Sequence, residues 1–222
     1  MKNIRWIALA LASVMLLCLG SCSAKITYDK ESGIYKDKRG NEYLRAPSCY
    51  EPVSYLSEKK YGTLVAGIGE FDLYAISNAQ EGDWLTTADG DVLYKKGVTL
   101  PTLEEFGVDG VLICREGESI HAFARVETQA EIDALIKTYL EGESIPYPSR
   151  PAAQSLRLRM TSEEYPFLYY RLTYLEYSSD VIVYSTDENG QEIETNYGKY
   201  FIYDRDAGRC VPVGDALHKY VE

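Results

Sequence analysis

Residues 165–177 read YPFLYYRLTYLEY. This tyrosine-rich stretch predicts a β-strand, because tyrosine suits the half-buried surface of a pleated sheet. Side chains alternate between the two faces of a strand, so Tyr169, Arg171 and Tyr177 share one face while Tyr170 lies on the other. Both faces are largely apolar. The strand is therefore either covered on both sides or carries an exposed tyrosine surface, a rigid contact area suited to glycans or protein partners.

Short strands are predicted along most of the chain, because tyrosine and β-branched residues alternate with turn signals. Gly33 is expected in the left-handed position of a first hairpin, and residues 203–208 repeat the pattern of residues 28–33. Asn189-Gly190 predicts a type I′ turn. Strands are expected near residues 26–28, 34–36, 43, 64–68, 73–77, 92–95, 110–114 and 120–126, and residues 167–177 and 181–185 are expected to form another hairpin.

One amphipathic helix is predicted over about residues 128–141. Thr128 and Glu131 form a capping box, in which each side chain accepts a hydrogen bond from the backbone N–H of the other. Apolar residues then follow at helical spacing, and Gly142 stands where the helix is expected to end. A short helix is expected to close the chain near Tyr220. These elements predict an α+β fold with mostly antiparallel sheets of short strands.

The prolines and serines of residues 144–154 indicate a linker or a long loop. This segment would separate an α+β lobe, residues 26–143, from a β-rich lobe, residues 155–222. A C-terminal part of that size is marginal as an independent core. The sequence therefore predicts either two lobes that share an interface or one continuous α+β domain.

The N-terminal residues have the pattern of an export signal. Lys2 and Arg5 provide a short positive region, and an apolar run of residues 6–19 follows. That run is shorter than the roughly 20 residues that a membrane-spanning helix needs. It ends in Leu19-Gly20-Ser21-Cys22.

This four-residue sequence resembles the lipobox of bacterial lipoprotein signal peptides. The resemblance implies that residues 1–21 are removed and that the thiol of Cys22 is acylated. Residues 22–25 would then form a lipidated N-terminus with a short tether, which holds the protein on the outer face of the cell membrane. The resemblance covers the leader alone and implies nothing about the rest of the chain.

The charge of the chain excludes one class of partner. With 23 Lys and Arg against 34 Asp and Glu, the formal net charge is −11. An acidic protein without basic stripes repels the phosphate backbone, so nucleic acid is not an expected partner. An anionic bilayer repels it too, so the folded part is expected to project from the membrane that anchors it.

The remaining cysteines and histidines give one candidate for catalysis. Cys49, Cys114 and Cys210 allow at most one disulfide, or they are buried free thiols, and two histidines make a metal site improbable. If residues 117–118 form a two-residue turn, Cys114 faces His121 across a hairpin, where the imidazole would lower the pKa of the thiol.

Two functions are therefore expected. The leading hypothesis is a non-catalytic, lipid-anchored surface module that binds an envelope component, a glycan or a protein, with Trp84, Tyr169 and Tyr177 as the candidate ligand surface. The alternative is an envelope cysteine enzyme, a hydrolase or a thiol-redox protein, that uses Cys114 and His121. Neither hypothesis requires a cofactor.

Overall fold

The structure of the chain is a computed structural model, and it describes residues 24–53, 60–67, 69–80, 82–117 and 120–221. The predicted leader and its lipobox, Leu19 to Cys22, lie outside the described residues. No helix within the described ranges combines the length and the apolar character that a membrane crossing requires.

The described residues form sixteen strands, one α-helix and one 3-10 helix. The strands are β1 (Ala24–Asp29), β2 (Ile34–Asp37), β3 (Glu42–Arg45), β4 (Tyr50–Pro52), β5 (Lys60–Ala66), β6 (Gly69–Ala75), β7 (Trp84–Thr87), β8 (Val92–Lys95), β9 (Val108–Arg115), β10 (His121–Val126), β11 (Gln154–Ser162), β12 (Leu168–Glu176), β13 (Ile182–Thr186), β14 (Glu192–Asn196), β15 (Tyr200–Asp204) and β16 (Arg209–Pro212). The α-helix is α1 (Gln129–Glu141), and the 3-10 helix spans His218–Tyr220.

Seven strands near the N-terminus form a closed barrel in the order β1-β2-β3-β8-β7-β6-β5. Parallel pairing of β1 with β5 closes the barrel, whereas its other strand pairs are antiparallel. Gly62 makes the closure possible, because a Cβ atom there would lie 1.9 Å from the carbonyl oxygen of Ala24. The interior is filled by six buried side chains: Ile26, Tyr43, Leu64, Leu73, Leu85 and Leu93.

A second sheet has the order β10-β9-β11-β12-β15-β16, and β4 pairs with β12 beside it. Strands on both sides of residues 144–154 join this sheet, because β9 pairs with β11. Helix α1 buries Ile132, Leu135 and Tyr139 in the core that the sheet shares with the nearest barrel residues. The third sheet is a separate hairpin of β13 and β14.

The predicted α+β class is wrong, because the chain is mostly β. Strands account for 48% of the described residues and helices for only 9%. Strands that the sequence analysis did not predict, among them β4 and β7, lie between the predicted ones. The predicted closing helix amounts to a 3-10 turn of three residues, His218–Tyr220.

Helix α1 confirms the predicted helix, but its ends differ from the prediction. Thr128 makes no side-chain capping bond. The Glu131 carboxylate instead accepts hydrogen bonds from Lys219 and Tyr220, so the predicted capping box is not formed. Gly142 does follow the helix, as predicted. Close packing requires a glycine at this position, because a Cβ atom would lie 2.4 Å from the Val211 side chain.

The hairpin predictions have mixed outcomes. Gly33 and Gly208 both have positive φ in matching hairpins, as predicted. Residues 167–177 and 181–185 do not pair, because β12 lies between β11 and β15 while β13 pairs with β14. Asn189 does not have the positive φ that a type I′ turn requires at both central residues, so that turn type is wrong although the hairpin exists.

Candidate functional site

The face of the second sheet that helix α1 leaves uncovered carries three arginines. Arg157 and Arg159 belong to β11, and Arg171 belongs to β12. Arg159 lies directly opposite Arg171 in the strand register, and Arg157 lies opposite Thr173. Since residues two apart on a strand share a face, all three guanidinium groups converge on one side of the sheet.

A buried carboxylate lies among the arginines. Glu51 of β4 pairs with Tyr169, which places its side chain on the same face. Glu51 Oε1 accepts from Arg157 Nη1 at 2.6 Å and from Arg171 Nη1 at 3.2 Å, and its Oε2 accepts from Arg159 Nε at 2.8 Å. Only 6% of this glutamate side chain is exposed.

Further contacts hold two of the arginines in place. Glu116 accepts from Arg157 Nε at 2.8 Å, and Ser48 Oγ accepts from Arg171 Nη2 at 2.9 Å. Ser48 is itself fixed, because its hydroxyl donates to Asp206 at 2.9 Å. The guanidinium groups are therefore oriented from several sides, as a preorganised site requires.

This face forms one wall of a cleft of about 710 Å³ between the sheet and the barrel. The opposite wall contains the ion pair of Arg45 with Asp91, at 2.6 Å, and the turn at Asp89. A smaller cavity of about 340 Å³ continues along the sheet and shares Arg157 and Arg171 with the cleft. A cavity of this size is sufficient for a small ligand or for one group of a larger ligand.

The sheet wall of the cleft is positive although the chain is acidic. On this wall three guanidinium groups face the carboxylates of Glu51 and Glu116, which leaves one positive charge in excess there. The opposite wall balances it, because Arg45 lies there with two carboxylates, Asp89 and Asp91. Arginine keeps its charge in proteins and binds carboxylate or phosphate oxygens in a bidentate manner. Arg171 Nε donates to no acceptor within the described ranges, and 22% of this side chain is exposed to the cleft. The geometry therefore suits an anionic group.

The predicted pairing of Cys114 with His121 is wrong by one residue. Cys114 lies opposite Ala122, and His121 lies opposite Arg115. A slip of one residue moves a side chain to the other face of the sheet, so thiol and imidazole point in opposite directions. Cys114 lies opposite Arg157, beneath the arginine cluster formed by Arg157, Arg159 and Arg171, and 0% of its surface is exposed. Burial raises the pKa of this thiol, whereas a nucleophilic cysteine requires a lowered one.

The structure disperses the aromatic residues of the predicted ligand surface. Trp84 is buried and packs against Phe167, with 5.4 Å between ring centroids, so it joins the barrel to the sheet. Tyr177 is buried beside Phe201. Tyr169 is half-buried, and the guanidinium carbon of Arg159 lies 5.0 Å from the centre of its ring. Only Tyr169 is therefore part of the arginine cluster.

The three cysteines that the structure describes are free and buried: Cys49, Cys114 and Cys210. Within the described part of the chain, no group of three or more His, Cys, Asp or Glu side chains could hold a metal ion.

Sequence reasoning missed all four members of this cluster as candidate site residues: Glu51, Arg157, Arg159 and Arg171. The sequence carried only a weak signal. Arg157 and Arg159 alternate with apolar residues in β11, and folding alone does not require charged side chains on the face of the strand opposite the core. Their glutamate is more than a hundred positions away in the chain.

Comparisons of this chain with protein-family models, with curated proteins and with solved structures found no match.

Proposed function

We propose that this chain is an exported, lipid-anchored surface protein that acts as a non-catalytic binding module, and that it binds an anionic group of its ligand in the arginine-lined cleft. The observation that supports the site is the convergence of Arg157, Arg159 and Arg171 on one buried carboxylate at the wall of the cleft. Anionic ligands of this kind include an acidic glycan, a phosphorylated envelope component and a carboxylate of a protein partner.

The binding step depends on the excess positive charge. Glu51 neutralises one guanidinium group and Glu116 a second, so one arginine charge is in excess on the sheet wall, facing Asp89 on the opposite wall. Arg171 is the most exposed of the three, and its Nε donates to no acceptor among the described residues. A carboxylate or phosphate there would form charge-assisted hydrogen bonds, which are about twice as strong as neutral ones.

The anchor is proposed from the leader sequence. Cleavage before Cys22 leaves only Ser23 between the acylated residue and the start of β1 at Ala24. Two extended residues span about 7 Å, so lipidation would hold the N-terminal end of the barrel close to the bilayer while the rest of the acidic chain projects from it. The ligand would then meet the protein at the membrane surface.

The site is tested by adding inorganic sulfate, phosphate or acetate at constant ionic strength to the full chain and following the melting temperature Tm. We expect a saturable rise in Tm for the wild type. Arg171→Gln should weaken this response at least tenfold, because a hydrogen bond to a charged group contributes about 1.5–3 kcal/mol. Arg39→Gln, an exposed change in the barrel that removes the same charge, is the control. An equal response of all three proteins would contradict the proposal.

The anchor is tested separately by labelling cells with a radioactive fatty acid. The wild type and Cys18→Ser should incorporate the label, and Cys22→Ser should not. Incorporation that persists in Cys22→Ser would rule out this residue as the acylated one.

A further inference from the structure

The hairpin of β13 and β14 stands apart from both larger sheets. Among the described residues, its two strands pair only with each other, so each strand has one edge of backbone N–H and C=O groups that no described strand pairs with. A two-stranded hairpin is marginally stable in water by itself, and edges of this kind are sites where another strand can add. No described residue of the hairpin lines the arginine-lined cleft, so a role of its own is considered for it.

The hairpin and its flanks, residues 180–198, are strongly acidic. They contain five carboxylates and no lysine, arginine or histidine: Asp180, Asp187, Glu188, Glu192 and Glu194. None of the five forms an ion pair with another described residue. Elsewhere in the structure, by contrast, carboxylates commonly have a lysine or arginine beside them, as Asp72 has Lys60 at 2.5 Å.

Apolar side chains are exposed on the same face as two of these acids. Ile182 is 41% exposed and Tyr184 is 59% exposed. Tyr184 lies directly opposite Glu194, and alternation along the strand places Glu192 on this face as well. The face therefore presents an aromatic ring and an aliphatic side chain bordered by carboxylates.

We propose that the edge of β14 binds an extended, basic segment of a partner protein, which adds as a third strand to the hairpin. Backbone hydrogen bonds would give affinity, and lysines or arginines at alternate positions of the partner would match Glu192 and Glu194, which are two residues apart. A basic side chain can also lie over the ring of Tyr184. A second copy of this chain fits poorly, because its own β14 would bring like charges together.

The experiment uses the full chain in detergent and three blocked ten-residue peptides as probes. One alternates Lys with Val, one alternates Lys with Pro, and one alternates Glu with Val. We expect the Lys–Val peptide to bind at least tenfold more tightly than either control, because proline removes the backbone N–H donors that a third strand needs. Amide NMR shifts should concentrate at residues 192–196.

Glu192→Gln/Glu194→Gln should weaken binding of the Lys–Val peptide about fourfold, since each of the two exposed ion pairs contributes a factor of about two. Glu104→Gln/Glu143→Gln changes two other exposed acids and has the same net charge, so it should bind like the wild type. Equal binding of the Lys–Pro peptide, or an equal loss in both variants, would show general attraction to an acidic surface and overturn the proposal. Self-association through β14 without peptide would also overturn it.

Discussion

Glu51→Gln tests how the arginine cluster is held together. The substitution keeps the size of the side chain but removes a carboxylate that all three arginines contact. Arg159 and Arg171 lie directly opposite each other, and like charges in such pairs repel. Breaking a buried ion pair by removing one partner costs about 3–5 kcal/mol.

The lower end of that range applies here, because Arg157 keeps Glu116 and Arg171 keeps Ser48 as partners. We therefore expect the free energy of unfolding to fall by about 3 kcal/mol. For a chain of this size the melting temperature should fall by about 6–12 °C. Urea unfolding at pH 7, followed by far-ultraviolet circular dichroism, measures the first quantity, and a thermal scan measures the second.

Two controls make this experiment specific. Glu70→Gln removes an exposed partner of Lys25 and should cost less than 1 kcal/mol. Adding Arg171→Gln to Glu51→Gln relieves the repulsion, so the double variant should lose less stability than the sum of the single losses. A loss below about 1 kcal/mol for Glu51→Gln would refute the view that this carboxylate holds the arginines together.

Three further predictions concern the barrel and the thiols. Gly62→Ala should lower the free energy of unfolding, measured in urea, by more than about 3 kcal/mol, because its Cβ would collide with the Ala24 carbonyl. Gly33→Ala is the control: it is strained only by its positive φ and should cost about 1 kcal/mol. Cys114 should react with iodoacetamide at pH 8 only after denaturation, as mass spectrometry of each cysteine would show, and rapid native labelling would contradict its burial. Burial raises the pKa of the Cys210 thiol to about 11 from 9.0. The folded chain therefore binds the thiol proton more tightly than the unfolded chain, so stability should fall as the pH rises above about 9. Urea unfolding at pH 8 and 10 should show that the free energy of unfolding decreases less between these pH values in Cys210→Ala than in the wild type. An equal decrease in both proteins would exclude this thiol as a cause.

Local features of the fold could be predicted from the sequence. The hairpins at Gly33 and Gly208 depend on residues within six positions of each other, and helix α1 depends on apolar residues at helical spacing. The barrel had no comparable signal. Its closing pair joins residues 24–27 to residues 62–65 in parallel, and nothing in either segment specifies the other. The α+β prediction failed because it gave one clear helix too much weight beside strands whose pairing is long-range.

The same difference between local and long-range information explains the error at Cys114. An assumed turn of residues 117–118 fixed every pair in the hairpin, and an error of one residue placed His121 on the wrong face. The pairing of β9 with β11 also decides what Cys114 faces, because it covers the thiol with the arginine cluster. The β11 residues that determine this pairing lie about forty positions further along the chain.

The proposed site depends on three separate segments that only the folded sheet brings together. β4 supplies Glu51, β11 supplies Arg157 and Arg159, and β12 supplies Arg171. Because Glu51 gathers the guanidinium groups before any ligand arrives, their side-chain entropy is lost during folding and need not be lost again on binding. The internal carboxylate also lowers the local charge, so that with Glu116 one positive charge is in excess on the sheet wall of the cleft. We therefore expect the cleft to bind one anionic group, at the guanidinium of Arg171.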